Sequence, residues 1–297
     1  MKIILTGATG YIGKHVLQRL YKNNDVWCTV RKSSDLSKIK DYASHVIIME
    51  TYDILYESFS YIKPDVVVHL AGMFRGEHSA DDIEEMLDSN LVFSSILFDA
   101  ACKAGCRNFI NTGSYWQNYG GAIYNPVNLY AATKQAFEDI ILYYVNVKKC
   151  TALTMQIFDS FGPGDKRNKI LNIVSGLEHG ETLCMSPGKQ KLYFCYIEDI
   201  ADAYECAIHT VIGMDAGAYR KYAIRDDKPY TLKQIVESYM RLSGKDLQLQ
   251  WGGRAYRERE IMDPEGIGEI LPGWKPKHSL EDGLKKYVDD SQEDRRA

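Results

Sequence analysis

Long hydrophobic runs are absent from this sequence of 297 residues. Because a membrane-spanning helix needs about 20 consecutive apolar residues, we expect no membrane partner. An excess of basic residues is absent too, since 40 Asp and Glu outnumber 36 Lys and Arg, for a net charge of −4. Nucleic-acid binding depends on clustered positive charge, so we expect no nucleic-acid partner.

Paired cysteine and histidine spacings of the kind that bind metals are also absent. The seven cysteines are an odd number, and the closely spaced Cys102 and Cys106 have no matching Cys or His pair. We therefore expect no metal site and reduced thiols that pack in the core. Reduced thiols and the lack of a signal peptide predict a cytoplasmic location. Repeats and low-complexity tracts are missing, and only the tail 289–297 is expected to be disordered.

The most informative stretch present is Lys2–Gly13, KIILTGATGYIG. Its apolar run Ile3–Leu5 predicts a strand buried on both faces, and the apolar residues that follow recur at helical spacing. Between strand and helix, three glycines allow a tight turn, a close approach of the backbone to a pyrophosphate, and close helix–strand packing. The helix N-terminus offers free N–H groups to phosphates. The residues expected to bind a dinucleotide here are Gly7, Thr9, Gly10, Tyr11, Ile12 and Gly13.

Strands and helices alternate up to about residue 158, which predicts an α/β fold with a doubly wound parallel sheet of the Rossmann type. We expect a dinucleotide-binding domain over 1–158 and a smaller, mixed substrate-binding lobe over 159–297, with 192–212 returning to the first domain. The further strands are predicted at Asp25–Val30, Val46–Met49, Asp65–Leu70 and Asn108–Asn111, and the long helices over 81–104 and 130–147.

The end of the second strand indicates which cofactor is bound. Arg31 lies there, 18 residues after Gly13 (31 − 13). An acidic residue at about this distance holds the ribose 2′-hydroxyl of NAD, whereas an arginine accommodates a 2′-phosphate. We therefore expect NADP(H), with NAD(H) as the alternative if Arg31 belongs only to a solvated loop. The fourth strand ends in His69, expected to pack within the sheet, and in small residues that let a cofactor lie close: Leu70, Ala71 and Gly72.

Three residues form the predicted catalytic set. Ser114 follows the fifth strand, and Tyr130 and Lys134 occur in a Tyr-x-x-x-Lys motif. Four-residue spacing places Tyr130 and Lys134 on one face of a helix, where the ammonium is expected to lower the pKa of the tyrosine toward neutral pH. The Ser114 hydroxyl can polarise a substrate carbonyl for hydride attack. Lys134 can also hold the nicotinamide ribose.

These motifs resemble the extended short-chain dehydrogenase/reductase family, the NAD-dependent epimerase/dehydratase family, whose fingerprint is TGxxGxxG. The resemblance covers nearly the full length, with later landmarks at 161–164, 196–200 and 273–276. It implies that Asp53, with Ile54, contacts the adenine of the cofactor, whereas the residues alone make Asp53 a helix cap. It also implies a homodimer joined by a four-helix bundle of the two long helices, although their apolar stripes fit intramolecular packing equally well.

The family resemblance leaves three reactions on nucleotide-diphosphate sugars: 4-epimerisation, 4,6-dehydration and 4-ketoreduction. Tyr115 and Trp116 occupy the positions where dehydratases carry an Asp-Glu pair, which argues against dehydration. Arg31 and a short Ser114–Tyr130 connection favour reduction. The block NTGSYWQNYG…YNPVNLYAATKQAFED resembles the CDP-abequose and CDP-paratose synthase branch, which implies an NADPH-dependent 4-reductase of a 4-keto-6-deoxyhexose for surface polysaccharides. An NAD-dependent 4-epimerase is the main alternative, and a sensor without turnover is a further one that the retained catalytic set disfavours.

Fewer residues can be assigned to the substrate. By position in the resembled family, Arg257 grips the pyrophosphate, a role that suits a guanidinium. The basic loop 161–167 either meets a diphosphate or is plain surface. Gln156, Asp159 and Leu192 depart from the family pattern, and the sequence does not identify the nucleotide. The candidates to line the sugar or base pocket, each with core or rim packing as the alternative, are Trp116, Gln117, Tyr119 and Tyr193.

Overall fold

Parallel strands organise the computed structural model, which describes residues 1–167, 169–178 and 180–293. The strands are β1 Lys2–Thr6, β2 Asp25–Arg31, β3 His45–Met49, β4 Val66–His69, β5 Asn108–Ser114, β6 Thr151–Ile157, β7 Asp159–Phe161, β8 Thr182–Met185, β9 Lys191–Leu192, β10 Phe194–Tyr196, β11 Tyr219–Ile224, β12 Tyr230–Thr231, β13 Gln248–Trp251 and β14 Glu269–Ile270. The α-helices are α1 Tyr11–Leu20, α2 Asp53–Ile62, α3 Asp82–Leu87, α4 Phe93–Lys103, α5 Leu129–Lys148, α6 Ile170–Gly176, α7 Ile197–Ile212, α8 Leu232–Ser243 and α9 Leu280–Glu293.

Eight strands form the main sheet in the order β3-β2-β1-β4-β5-β6-β11-β14, and every neighbouring pair is parallel. The predicted doubly wound parallel sheet is therefore confirmed. The chain reverses its direction of progress across the sheet between β1 and β4, and the crevice at such a switch point is where ligands bind in this architecture.

Two apolar layers cover the sheet. Side chains alternate along β1, so that Ile3 and Leu5 join the cluster under α1 and α7, whereas Ile4 joins the cluster under α2, α4 and α5. All three side chains are fully buried, as expected for a parallel strand covered on both faces. The rigid layers leave the carboxyl ends of β1, β4 and β5 facing one crevice.

The chain after residue 158 contributes to both parts of the molecule. α7 packs against α1, and β11 and β14 extend the main sheet. Three two-stranded sheets, β7–β10, β9–β12 and β8–β13, lie apart from the main sheet. A separate apolar cluster includes residues of α6, α8 and α9. None of the described helices is long and apolar enough to cross a membrane.

The predicted continuous helix over 81–104 is interrupted. α3 and α4 are joined by a π-helical turn over Asp88–Val92. Within that turn the buried Asn90 accepts the Met73 N–H and donates to the Met73 carbonyl and to Thr133 Oγ1. The extra residue in the π-helical turn allows these contacts of Asn90. The spacing of apolar residues along the helix does not predict such a turn.

Two smaller predictions concern the cysteines and the tail. Cys102 on α4 and Cys150 before β6 lie side by side, with Cα atoms 6.8 Å apart. Their 48-residue separation gives no local spacing from which to infer this contact, and reduced thiols stay a prediction. The tail predicted to be disordered begins inside α9, which extends to Glu293, and residues 294–297 lie outside the described residues.

Candidate active site

The glycine turn after β1 packs closely against the end of β4. Gly7 has a φ of +74°, and a Cβ there would lie 2.7 Å from the Ala71 nitrogen and 2.8 Å from the Leu70 carbonyl carbon. A Cβ on Gly13 would lie 2.0 Å from the Gly7 oxygen. Both positions therefore exclude any side chain, and the turn lies beside the segment Leu70–Gly72 at the switch point.

The beginning of α1 is suited to a phosphate group. Thr9 lies in the turn, the Gly10 N–H donates to the Gly7 oxygen at 2.9 Å, and α1 begins at Tyr11, followed by Ile12. No side chain caps this N-terminus, so its N–H groups are available to an anion. A side-chain-free cradle at a helix N-terminus fits the pyrophosphate of a dinucleotide.

The other predicted cofactor residues lie at the same sheet edge. Arg31 ends β2 and is exposed, and its backbone N–H donates to Ser34 Oγ at 3.1 Å. Asp53 is exposed, in the first turn of α2, whereas Tyr52 holds the N-cap position. The expectation that Asp53 caps this helix is therefore wrong. Its carboxylate, next to the half-buried Ile54, faces solvent.

The catalytic set assembles from two elements. Ser114 is the last residue of β5, and its Oγ accepts the Trp116 N–H at 3.3 Å, which leaves the hydroxyl proton for a donor role. Tyr130 and Lys134 lie one turn apart on α5, whose N-terminus is capped by Asn128. Lys134 is buried, and its Nζ lies 3.1 Å from the position of a Cβ on Gly72. The ammonium thus reaches the crevice floor.

Burial dominates the ionisation of the two α5 residues. It raises the pKa of Tyr130 to about 12, and the opposing effect comes from Arg167. It also lowers the pKa of Lys134 to about 8, against the raising effect of Glu138. The prediction that Lys134 lowers the pKa of Tyr130 toward neutral pH is therefore wrong for the protein alone. Tyr130 keeps its proton at neutral pH and can act as an acid.

A buried histidine fixes the crevice floor. Thr6 Oγ1 accepts the Ala71 N–H at 3.1 Å and is hydrogen-bonded to His69 Nδ1 at 2.7 Å. His69 Nε2 is hydrogen-bonded to Ser94 Oγ at 2.9 Å. Burial holds the pKa of His69 well below its usual range. His69 packs within the sheet, as expected, and remains neutral.

Aromatic rings form one wall beside Tyr130. The ring of Phe74 lies 5.0 Å from that of Tyr130 and 5.6 Å from that of Trp116, between ring centroids. The Arg257 guanidinium carbon lies 5.2 Å from the Trp116 ring, a cation–π distance. Two residues predicted from sequence, Trp116 and Arg257, are thus brought together near Tyr130, and the fold adds Phe74 to them.

Two further arginines stack on the neighbouring aromatic residues. Tyr193 is buried against Phe158, and the Arg225 guanidinium lies 4.2 Å from its ring. Arg259 lies 4.3 Å from the Tyr119 ring. In the described part of the chain, Nε of each arginine is buried without a hydrogen-bond partner. Sequence reasoning missed Arg225 because no motif marks it, and in the basic segment 254–260 it assigned Arg257 rather than Arg259. Only the fold places Arg225 and Arg259 over these rings.

Gln117 does not line the pocket. The short 3₁₀ turn Tyr115–Gln117 directs it into the fold, where it is fully buried. Its Oε1 accepts the Ser114 N–H at 2.8 Å, and its Nε2 donates to Glu138 Oε1 at 2.7 Å. The prediction that Gln117 contacts sugar or base is therefore wrong, because its amide is used within the protein.

The basic loop 161–167 and the neighbouring Lys169 are each paired with a carboxylate. Arg167, in the loop over 161–167, is bonded to both carboxylate oxygens of Asp165 and lies 4.4 Å from the Tyr11 ring. That loop therefore meets the glycine turn. Lys169 lies 3.4 Å from Asp159, which also accepts the Tyr115 hydroxyl at 2.7 Å. A carboxylate that is already oriented thus lies beside the aromatic wall.

Comparisons with known proteins agree with this geometry. A family model described as the NAD dependent epimerase/dehydratase family matches residues 3–219. CDP-abequose synthase of Yersinia pseudotuberculosis is 30% identical over 269 residues, covering 89% of this chain and 92% of the relative. The Salmonella typhimurium CDP-abequose synthase is 24% identical and covers 96% and 97%. A crystal structure of a Thermotoga maritima UDP-glucose 4-epimerase with UDP-glucose superposes with a TM-score of 0.83 at 21% identity, covering 99% of this chain and 100% of that one. This last likeness shows a shared fold.

Proposed function

This chain belongs to the NAD dependent epimerase/dehydratase family, and from that membership we propose that it is an NADPH-dependent reductase of a nucleotide-diphosphate-linked 4-keto-6-deoxyhexose. The coarser description, an NAD(P)-dependent enzyme that modifies a nucleotide sugar, follows from the family and from the relatives named above. The resemblance to the CDP-abequose and CDP-paratose synthase branch supports the finer one, with a role in surface polysaccharide biosynthesis.

The likeness to the CDP-abequose synthases over most of the chain is the observation that carries the proposal. The motifs around Ser114 and Tyr130 resemble the same branch, whose members reduce a 4-keto sugar. Burial raises the pKa of Tyr130, which agrees with a hydroxyl that is protonated at neutral pH and can serve as the acid.

The proposed mechanism uses Ser114, Tyr130 and Lys134. Ser114 and Tyr130 donate hydrogen bonds to the C4 carbonyl oxygen and stabilise the negative charge that develops there. The nicotinamide cofactor, when bound, supplies the hydride. Tyr130 protonates the alkoxide, and Lys134 holds the nicotinamide ribose and supplies positive charge beside the reacting oxygen. The rigid placement of the three residues lowers the entropic part of the barrier.

The preference for NADP(H) is proposed from Arg31. Arg31 is exposed at the end of β2, where a guanidinium would bind a 2′-phosphate. The glycine turn, the segment Leu70–Gly72 and Asp53 would hold the rest of the dinucleotide. NAD(H) is the alternative cofactor.

For the substrate, we assign the aromatic wall and its arginines. Trp116 and Tyr193 would border the sugar and base, and Arg257 would bind the diphosphate as a guanidinium binds phosphate. Arg225 and Arg259 add positive charge along the same wall. The arginines thus favour an anionic, nucleotide-linked sugar over a free one.

A homodimer through a four-helix bundle is proposed from exposed apolar residues on the helices that would form it. They are Ile83 and Leu87 on α3, Val92 in the π turn, and Tyr143 and Val147 on α5. Large apolar side chains grouped on a surface favour an interface. A cytoplasmic location stays a prediction of the sequence.

The test is NADPH oxidation, followed by its absorbance, with a panel of CDP-, dTDP-, UDP- and GDP-linked 4-keto-6-deoxy sugars and with NADH in parallel. Oxidation with one sugar nucleotide would support the reductase and identify its nucleotide. If no sugar of the panel is reduced and tightly bound NAD is released on denaturation, the 4-epimerase becomes the better assignment and Arg31 is not a 2′-phosphate ligand.

A further inference from the structure

A chain of buried polar residues lies behind the catalytic set. Glu138, on α5, is 4% exposed. Its Oε1 accepts Gln117 Nε2 at 2.7 Å, and its Oε2 accepts Lys221 Nζ of β11 at 2.8 Å. Burying a carboxylate is unfavourable even when it is paired, and an apolar side chain of similar volume often serves stability as well. Glu138 therefore calls for a role beyond packing.

The direction of every hydrogen bond in this chain is determined. The Ser114 backbone N–H can only donate, so the Gln117 oxygen faces it, at 2.8 Å. The amide nitrogen of Gln117 must then face Glu138 and Gln135, to which it donates at 2.7 and 3.1 Å. Glu138 acts as an acceptor on this side and receives the Lys221 ammonium on the other. Glu138 is thus the acceptor that anchors the end of β5.

The same carboxylate lies one helical turn from the catalytic lysine. Residues four apart on a helix are neighbours, with Cβ atoms about 5–6 Å apart, and Glu138 raises the pKa of Lys134 against the effect of burial. On the other packed elements, the charge of Lys134 acts on the pKa of His69 of β4, which burial keeps neutral, and Lys221 and Tyr219 of β11 are hydrogen-bonded to Glu138. Glu138 is therefore the acidic group that supports the Lys134 ammonium.

We propose that Glu138 is a positioning residue for the reduction, which holds Ser114 in place through Gln117 and presents a carboxylate one helical turn from Lys134. This inference rests on the proposed function, because Ser114 and Lys134 are the residues that Glu138 serves. Lys221 takes part as the counterion that limits how strongly Glu138 acts on Lys134. The electrostatic effects of Glu138 and Lys221 on the lysine are therefore opposite in sign.

The experiment measures the dissociation constant of NADPH by fluorescence across a pH series, with wild type, Glu138→Gln and Lys221→Met. Binding should weaken as Lys134 loses its proton, in wild type near pH 8. Without the Glu138 charge the midpoint should fall by roughly one pH unit, the scale of a unit charge at this separation. In Lys221→Met the charge of Glu138 is less compensated, so the midpoint should rise. As the charged fraction of Lys134 falls, turnover of Glu138→Gln should drop about twofold at pH 7 and about fivefold at pH 8.

A double variant, Glu138→Gln with Lys221→Met, controls for folding, because it leaves neither charge unpaired. Its midpoint should return toward that of wild type, and it replaces either single variant that fails to fold. Unchanged midpoints, or shifts in the same direction with equal loss of thermal stability, would reduce Glu138 to a structural residue. Because NADPH binding needs no sugar, this test gives its answer even if the sugar panel shows no reduction.

Discussion

Tyr130→Phe removes the proposed acid and little else. The ring keeps its edge-to-face contact with Phe74 at 5.0 Å, and the Asn128 cap of α5 is untouched. The hydroxyl is the group that would protonate the C4 alkoxide and donate one of two hydrogen bonds to it. Ser114 would remain as the single donor.

The size of the loss follows from the two roles of that hydroxyl. General acid catalysis contributes about 10²–10⁴-fold, and one donor to a developing oxyanion contributes about 10²–10³-fold. Both come from the same hydroxyl, so the two factors overlap. We therefore expect kcat to fall by roughly 10³-fold, or about 4 kcal/mol of transition-state stabilisation.

The assay compares single-turnover NADPH oxidation and NADPH binding in Tyr130→Phe and in Tyr61→Phe, a matched change at an exposed tyrosine of α2. NADPH affinity should change less than about threefold in both, because the lost hydroxyl contributes to the transition state rather than to uniform binding. Turnover of Tyr130→Phe within tenfold of wild type would refute the assignment of Tyr130 as the acid.

Three further changes test the cofactor site and the fold. Arg31→Glu should weaken NADPH binding about tenfold or more while sparing NADH, and equal losses for the two cofactors in titrations would show that Arg31 does not meet the 2′-phosphate. Gly13→Ala forces a Cβ to 2.0 Å from the Gly7 oxygen and should destabilise the protein by about 1–3 kcal/mol and abolish NADPH binding; wild-type melting and affinity would contradict the steric argument. Burial and the charge of Asp199 raise the pKa of Asp226 to about 7, above its value in the unfolded chain. Between about pH 4 and 7 the unfolded chain therefore holds fewer protons than the folded protein, and the free energy of unfolding falls as the pH rises. Asp226→Asn should therefore raise the melting temperature at pH 8 more than at pH 4. A larger rise at pH 4 would show that the folded protein does not disfavour the charged carboxylate of Asp226.

The strands and the glycine turn were predictable because their causes are local. An apolar run such as Ile3–Leu5 has few ways to be buried other than in a parallel sheet. The glycines at 7 and 13 are required by contacts within one turn and with the end of β4. Tyr130 and Lys134 were likewise predictable, because helical spacing alone places them on one face.

Residues whose roles depend on distant partners could not be predicted. Gln117 lies beside Trp116 in the sequence, yet a 3₁₀ turn sends the first into the fold while the second borders the crevice. Arg225 acquires its aromatic partner from Tyr193, which lies between β9 and β10, more than thirty residues earlier (225 − 193 = 32). At an irregular turn, the sequence of neighbouring residues does not show which side chain faces inward.

Burial of the catalytic pair makes a last prediction, on pH. The environment that raises the pKa of Tyr130 to about 12 also lowers that of Lys134 to about 8, because low polarity disfavours both charged forms. A reductase with these residues has its acid and its ammonium together below about pH 8, so kcat/KM should be level there and fall as Lys134 loses its proton. An epimerase that needs tyrosinate would gain activity as the pH rises. Initial rates between pH 6 and 10 therefore separate the two reactions, and a rise above pH 8 would contradict Tyr130 as an acid.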